Sequence, residues 1–411
     1  MRKDAIVPGP SPDTAEAGET DQDDDRSPLQ RFRSYPRKPL TVTDLTSGTW
    51  CELQYWYTLT RLPGGRRTRT AAMKQGTKVH KKLEDEVHTT VRVDVETRED
   101  WFGLKLWNFV QGLRTLRDTG LTRELEVWGT VDGNLVNGVI DELSHRNPNP
   151  EFEAELSSQE PQKDNLSQSA LTDYFPPKTK GGNGKKVYLA DVKTRGTLTP
   201  VSAALLRPAK IQLLLYHRFL ADMASEQLDF FQVFRRYGLN ADATFSDAFL
   251  AQVSGLHDEI FVDAPESQRE QSTSSEQQDS HLEEVHELQQ DLLKYQSLRE
   301  LVGLVRDELQ ATFPDGAASV GHMLNVKYVY RGDGREIDTH DFPYSEAAMK
   351  DYLSHYMPWW RGERKADGVQ IEEAFKCRTC EFVGDCTWRQ EMDAQRVASA
   401  RRRITSRKSV V

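Results

Sequence analysis

Four cysteines constrain this chain more than any other feature. Cys51 stands alone near one end, while Cys377, Cys380 and Cys386 stand together near the other as Cys-x2-Cys-x5-Cys. The chain has no signal-peptide core and no apolar run of membrane-span length, so a cluster of three thiols reads as metal ligation rather than as disulfides. Thiolates so placed converge only if the two ends of the folded body meet, with residues 52–376 looped between them. Closing so long a loop is entropically expensive, and losing the metal is expected to loosen the whole fold. Four-cysteine zinc sites usually come as two Cys-x2-Cys knuckles, which this chain lacks. One thiolate plus three fits a 4Fe-4S cubane better.

Charge is unevenly spread. The net charge of −10 argues mildly against nucleic acid, yet residues 11–25 hold seven acids and no base, and Leu53–Leu83 hold eight bases and no acid. An acidic chain with such a distribution can still present a basic surface. Residues 1–38, rich in Pro, Asp, Ser and Arg, are expected to be a disordered tail, and 391–411 a basic C-terminal tail. Between them, 39–390 is expected to form one domain of α/β class. Loop insertions are expected at about 147–186 and 262–282, and the cysteine clasp at 51 and 376–388.

Within that domain, "LTVTDLTSGTWCELQYWYTL" predicts a helix capped by Thr43 or Asp44. "ELEVWGTVDG" and "NLVNGVIDEL" predict a hairpin turning at Asp132-Gly133. "KVYLADVKT" and "NVKYVYRG" predict strands, and "PAKIQLLLYHRFLADM" an apolar helix.

Two of these strands carry chemistry. Asp141 ends "VNGVID", and Asp191 and Lys193, two apart, project from one face of "LADVKT". If the strands are neighbours, two carboxylates meet one ammonium. Carboxylates suit Mg2+ or Mn2+, and a lysine steadies the charge that develops when a phosphodiester is hydrolysed. D-x-K by itself is a common pair. His80, four residues after Gly76 on a predicted helix, is a candidate further metal ligand. Gln212 and Tyr216, four apart on an otherwise apolar helix, need polar partners, a phosphate or a nucleobase among the candidates and a backbone carbonyl as the plainer one.

This order of residues resembles the RecB-type branch of the PD-(D/E)xK nuclease superfamily, whose core is a mixed sheet flanked by helices. The resemblance assigns Asp141, Asp191 and Lys193 to catalysis with Gln212 and Tyr216 in support, and His80, Asp141 and Asp191 to metal. The middle acid is Asp191 rather than the commoner Glu. With the cysteine segment "WWRGERKADGVQIEEAFKCRTCEFVGDCTWR", the chain is most similar to the exonuclease V family. That family implies exonucleolytic attack on single-stranded DNA, usually from the 5′ end, with Mg2+, a 4Fe-4S cluster on Cys51, Cys377, Cys380 and Cys386, and a role in DNA repair or replication.

There is no G-x-x-x-x-G-K-[ST], hence no ATP motor, and the strand must be held by charge and stacking. Arg66, Arg67, Arg69 and Lys78, near the aromatics Tyr55, Trp56 and Tyr57, are the candidate DNA contacts. "QSALTDYF" matches a sliding-clamp-binding peptide, with Gln168, Leu171, Tyr174 and Phe175 as its anchors. The partners expected are therefore single-stranded DNA and the sliding clamp (proliferating-cell nuclear antigen) or a single-strand-binding protein, with the chain itself a monomer off the membrane. The clamp peptide favours the nucleus, and the mitochondrion is the alternative. A catalytically silent DNA-binding or clamp-associated scaffold is the competing reading of the whole chain.

Overall fold

The computed structural model describes residues 24–159, 185–253, 260–263 and 295–408. Its backbone forms two compact units: a larger one of Arg33–Thr46 and Thr70–His355, and a smaller one gathered from the stretches up to Phe32, Ser47–Arg69 and from Tyr356 onward. The sequence reading expects a single domain, with the cysteines joining its two ends; the structure gathers those ends into a compact unit of their own.

The strands are β1 (Leu40–Thr41), β2 (Thr90–Val93), β3 (Leu121–Val131), β4 (Asn134–Ser144), β5 (Val187–Arg195), β6 (Ile260–Asp263), β7 (Val320–Tyr330) and β8 (Glu336–Pro343). The helices that matter below are α1 (Pro28–Phe32), α2 (Val42–Thr46), α3 (Glu52–Arg61), α4 (Ala71–Asp85), α5 (Arg98–Thr119), α6 (Pro150–Gln159), α7 (Ala203–Ala224), α8 (Phe230–Tyr237), α9 (Asp247–Val253), α10 (Leu298–Thr312), α11 (Glu346–Trp360) and α12 (Thr387–Lys408).

Among the described residues the larger unit is built on a six-stranded sheet in the order β1-β4-β5-β7-β8, with β3 also paired to β4. It is mixed: β1/β4 and β5/β7 are parallel, and β3/β4, β4/β5 and β7/β8 antiparallel. The β3–β4 hairpin turns at Asp132 and Gly133, both with positive φ (48° and 73°), the two-residue geometry that matches strand twist. Helix α5 opens on a Thr97/Asp100 capping box and closes on Gly120 in the left-handed region. Its Phe102 and Phe109 rings meet buried Trp128 of β3 at 5.8 and 6.2 Å. Helix α7 lies so close to β3 that a Cβ at Gly129 would stand 2.1 Å from the Phe219 ring. Glu308 of α10 accepts from Arg114 Nε at 2.7 Å and from the Arg117 guanidinium, both on α5.

Four expectations change. The first predicted helix is broken into α2 and α3, and its cap is Thr41. Asp44 N–H donates to Thr41 Oγ1 and Thr41 N–H to Asp44 Oδ2, a reciprocal pair that starts the helix a few residues earlier than expected. Residues 24–38 are not all tail: α1 is helical, and the Arg33 fork grips Asp44 at 2.6 and 2.7 Å. The insertion at 147–186 begins with α6, anchored where Tyr188 Oη donates to Glu153 at 3.0 Å. The basic tail is helical as far as Lys408. No helix among the described residues is long and apolar enough to cross a membrane.

In the smaller unit, Tyr55 meets Trp359 and Trp360 at 6.1 and 6.2 Å, Tyr57 is buried against Phe382 at 5.4 Å, and Trp56 sits edge-on to Phe32. These contacts pack the unit, with Tyr57 buried and Tyr55 and Trp56 half-buried. Arg364 clasps buried Glu52 through two 2.6 Å hydrogen bonds.

Candidate active site and cysteine site

Adjacent antiparallel strands explain how Asp141 and Asp191 meet. Glu142 is registered on Ala190, so the residues just beyond, Asp141 and Asp191, lie side by side. Val192 N–H donates to Asp141 Oδ2 at 2.8 Å and fixes that carboxylate against β5. Asp141 lies inside β4 rather than at its end, because the strand continues through Ser144 to pair with both neighbours. Lys193 Nζ stands 2.6 Å from Asp191 Oδ1.

Exposure grades from floor to rim. The Asp191 side chain is 1% exposed, His80 28%, Glu124 32% and Lys193 36%. Asp191 Oδ1 is held by Lys193, but Oδ2 is buried and has no hydrogen-bond partner. Burial raises the Asp191 carboxyl to about 7, against the pull of the Lys193 ammonium and with the push of Asp141. Asp141 is raised by burial as well. The His80 imidazole is raised by its hydrogen bond to Glu124, which outweighs its burial.

Helix α4 delivers His80. Thr70 Oγ1 caps it by accepting from Met73 N–H. A Cβ at Gly76 would stand 2.9 Å from Thr194 Oγ1 of β5, so glycine there permits the close approach. One turn later His80 Nδ1 lies 3.2 Å from Glu124 Oε1. Ligand atoms of His80, Glu124 and Asp141 all fall within 4.8 Å of one another. Glu124 is the residue that the sequence reading missed. It sits on β3 opposite Asp141, between the registered pairs Arg123/Glu142 and Leu125/Ile140, with φ 54°, a strained value for a non-glycine residue. Glu124→Gln is expected to lower the His80 pKa and to weaken Mn2+ binding roughly 10- to 100-fold. An NMR titration of His80 and a Mn2+ isotherm check this, and an unshifted His80 counts against the coupling.

Gln212 and Tyr216 share a face of α7, and Gln212 Nε2 donates to Tyr216 Oη at 3.1 Å. Tyr216 is buried, and burial raises its phenol further out of the physiological range, with Asp141 and Lys193 close enough to act on it electrostatically. Gly138 of β4 makes room for its ring, since a Cβ there would stand 2.5 Å from Tyr216 Cε1.

The DNA-contact candidates divide between the units. Arg66, Arg67 and Arg69 belong to the smaller one and Lys78 to the larger. Arg67 Nε pairs with Glu381 at 2.8 Å, while Arg66, Arg69 and Lys78 are exposed. The clamp-like peptide Gln168, Leu171, Tyr174 and Phe175 lies outside the described residues.

The four cysteines come together in the smaller unit. Cys51, the residue before α3, and Cys377, Cys380 and Cys386 line one pocket walled by Trp50, Tyr57, Phe382 and Trp388. None is in a disulfide. Burial first, and then the other three sulfurs, push the Cys51 thiol up to about 12, and Cys377 is raised for the same reasons. A cation held between them would offset what raises the Cys51 and Cys377 thiols.

The model of the family described as exonuclease V, a 5′ deoxyribonuclease, matches residues 27–389. The chain belongs to the exonuclease V family. It is therefore a nuclease, a hydrolase acting on DNA. The match takes in both sites: His80, Glu124, Asp141, Asp191 and Lys193 all lie inside it, as do the four cysteines. Exonuclease V of Danio rerio is 26% identical over 89% of this chain and 73% of its own length. The proteins named exonuclease V, mitochondrial, of Eremothecium gossypii and Candida albicans are 23% and 22% identical, each over 88% of this chain and over 78% and 75% of their own lengths.

Proposed function

We propose that the protein hydrolyses phosphodiester bonds of single-stranded DNA from an end, 5′ to 3′, at the Asp141–Asp191–Lys193 site on a PD-(D/E)xK core. The observation that carries this reading is the orphan oxygen of Asp191. Leaving a buried carboxylate oxygen without a partner costs about 1–3 kcal/mol or more, and such an atom calls for an explanation. A hard divalent cation would supply one: the ligand atoms of His80, Glu124 and Asp141 lie within 4.8 Å of one another, and Asp191, outside that group, is the neighbour of Asp141 across the β4–β5 pairing. When bound, Mg2+ or Mn2+ provides Lewis acidity towards the phosphodiester and its attacking water.

The chain's own groups do the rest. Lys193, at the open rim, carries the ammonium that offsets charge gathering on the phosphoryl oxygens. Asp141, tied to the Val192 amide, orients its free oxygen. Tyr216, held by Gln212, lines the apolar side and keeps its proton. The four cysteines are proposed to hold a 4Fe-4S cluster. A tetrahedral zinc with bonds of about 2.3 Å needs sulfurs under about 4 Å apart. Among the described residues, the groups of three candidate ligand atoms lying within 4.8 Å of one another include no cysteine. The wider spacing favours the cubane.

The mitochondrial names of the fungal relatives support that compartment, while the nuclear alternative and the sliding-clamp partnership rest on the Gln168–Phe175 peptide. The test of activity uses a single-stranded oligonucleotide labelled at one end or the other, incubated with the anaerobically purified protein and Mg2+. A 5′ label released first as a short product supports the reading. Loss of the 3′ label first reverses the polarity, and no cleavage with Mg2+ or Mn2+ removes the catalytic claim in favour of a silent scaffold.

A further inference from the structure

One cluster of charge in the larger unit takes no part in either site. Glu142, the residue after Asp141 on β4, is buried. Its Oε1 accepts from Lys327 Nζ of β7 at 2.6 Å, and its Oε2 pairs with Arg123 Nη2 of β3 at 2.9 Å. Arg123 is the registered partner of Glu142 and the residue before Glu124. Side chains alternate along a strand, so Glu142 is turned away from Asp141, behind the carboxylates rather than among them.

Stability alone explains the triple poorly. Burying ions costs desolvation, and apolar residues in place of a buried ionic triad are often neutral or stabilising. Adjoining positions do use apolar residues: Ile140, Leu143, Leu189 and Val192 are all buried. An ionic triple supplies something else, because it is satisfied at one alignment of its strands only. Alignment is what the metal site needs at this point. The β4–β5 ladder runs from Ser144/Tyr188 to Glu142/Ala190, so Asp141 and Asp191 stand just past its last pair. Lys327, registered on Val192 of β5, reaches Glu142 across that strand and straps β4 down where the ladder stops. Glu124 has φ 54°, a backbone that a non-glycine residue keeps only when its flanks fix it. Buried Leu125, registered on Ile140, fixes one flank. Arg123 fixes the other, through Glu142 and through its N–H, which donates to His88 Nε2 at 3.4 Å.

We propose that Glu142 is a positioning residue for the divalent-metal site. Through Arg123 it holds Glu124, and through Lys327 it holds Asp141, where their carboxylates meet His80. The proposal rests on the reading of His80, Glu124, Asp141 and Asp191 as metal ligands, and adds a residue that touches neither metal nor DNA.

The test uses the full chain and Glu142→Gln, which keeps the shape of the side chain and removes its charge. Mn2+ binding is measured by calorimetry, and kcat and KM by cleavage of single-stranded DNA. Mn2+ affinity is expected to fall about tenfold or more, and kcat with it, while KM for DNA stays as in the wild type. Lys327→Met should give a smaller loss in the same direction, and Lys327→Arg should restore the wild-type affinity. Phe234→Leu, a core change on α8, controls for lost stability: its melting temperature should fall while its Mn2+ affinity holds. Wild-type Mn2+ affinity in Glu142→Gln overturns the proposal, and so does an equal loss in Phe234→Leu. If Glu142→Gln does not fold, the Lys327 pair decides, and equal affinities in Lys327→Met and Lys327→Arg overturn it. A wild type that binds no Mn2+ removes the metal-site reading itself, and the proposal with it.

Discussion

Asp191→Asn is expected to lower the rate of DNA cleavage by roughly three orders of magnitude or more, while making the metal-free protein more stable above neutral pH. The loss follows from removing the charge on the deepest carboxylate of the site. The gain follows from proton linkage. Burial raises the native carboxyl to about 7, while in the unfolded chain it titrates near 3.8. Between those values the native state keeps a proton that the unfolded state has released, so the contribution of this group to stability falls as pH rises through that window. A neutral amide does not titrate and escapes the penalty. The two proteins should therefore melt alike near pH 4 and diverge towards pH 8, with the variant higher by roughly several degrees when no divalent metal is present. Mg2+ or Mn2+ should raise the melting temperature of the wild type and leave the variant little changed. A variant that cleaves normally sinks the active-site assignment. Lys193→Ala tests the other half: cleavage should fall comparably, and the melting temperature should not rise, because the Asp191 carboxylate then loses its hydrogen-bonded neutralising partner.

Cys51→Ser is the second large effect. Cys51 is the single sulfur contributed from near the N-terminal end of the ordered chain, and the pocket's other three lie within ten residues of one another. Replacing it removes the sulfur that Ser47–Arg69 brings to the pocket, so under the proposed cluster assignment the smaller unit should lose the group and much of its cohesion. The expected result is loss of visible absorbance and of bound iron, with a fall in melting temperature of roughly 10 °C or more. Iron content and melting temperature equal to wild type would falsify the four-thiolate assignment. Zinc in place of iron in the wild type would keep the assignment and change the metal.

Much of the site was legible because strand chemistry is local. Alternation set Asp191 and Lys193 on one face, and the Asp132-Gly133 turn announced the hairpin. The same hairpin held the clue to Glu124. Counting outward from a two-residue turn pairs Val131 with Asn134, and the count reaches Glu124 opposite Asp141. The signal was present and went unused, since an acid in an amphipathic strand looks like ordinary solvent exposure. Other features were not legible. The break between α2 and α3 depends on Gly48, where a Cβ would stand 2.4 Å from the Tyr356 ring, a neighbour 308 positions away. The ring partners of Tyr55 and Tyr57, namely Trp359, Trp360 and Phe382, are similarly remote in sequence. Local pattern gives a side chain's type and face, but not which remote ring will cover it.

The β4–β5 pairing carries a further consequence. Asp141 and Asp191 sit on strands that are direct antiparallel neighbours, so the chain from residue 145 to 186 is the connection between two paired strands. Lengthening a loop whose ends are already held together costs only logarithmically, about 0.6 kcal/mol per doubling. The distance between the two acids along the chain is thus decoupled from their distance in space. Catalytic geometry and the length of the connection can vary independently while the carboxylates stay in register.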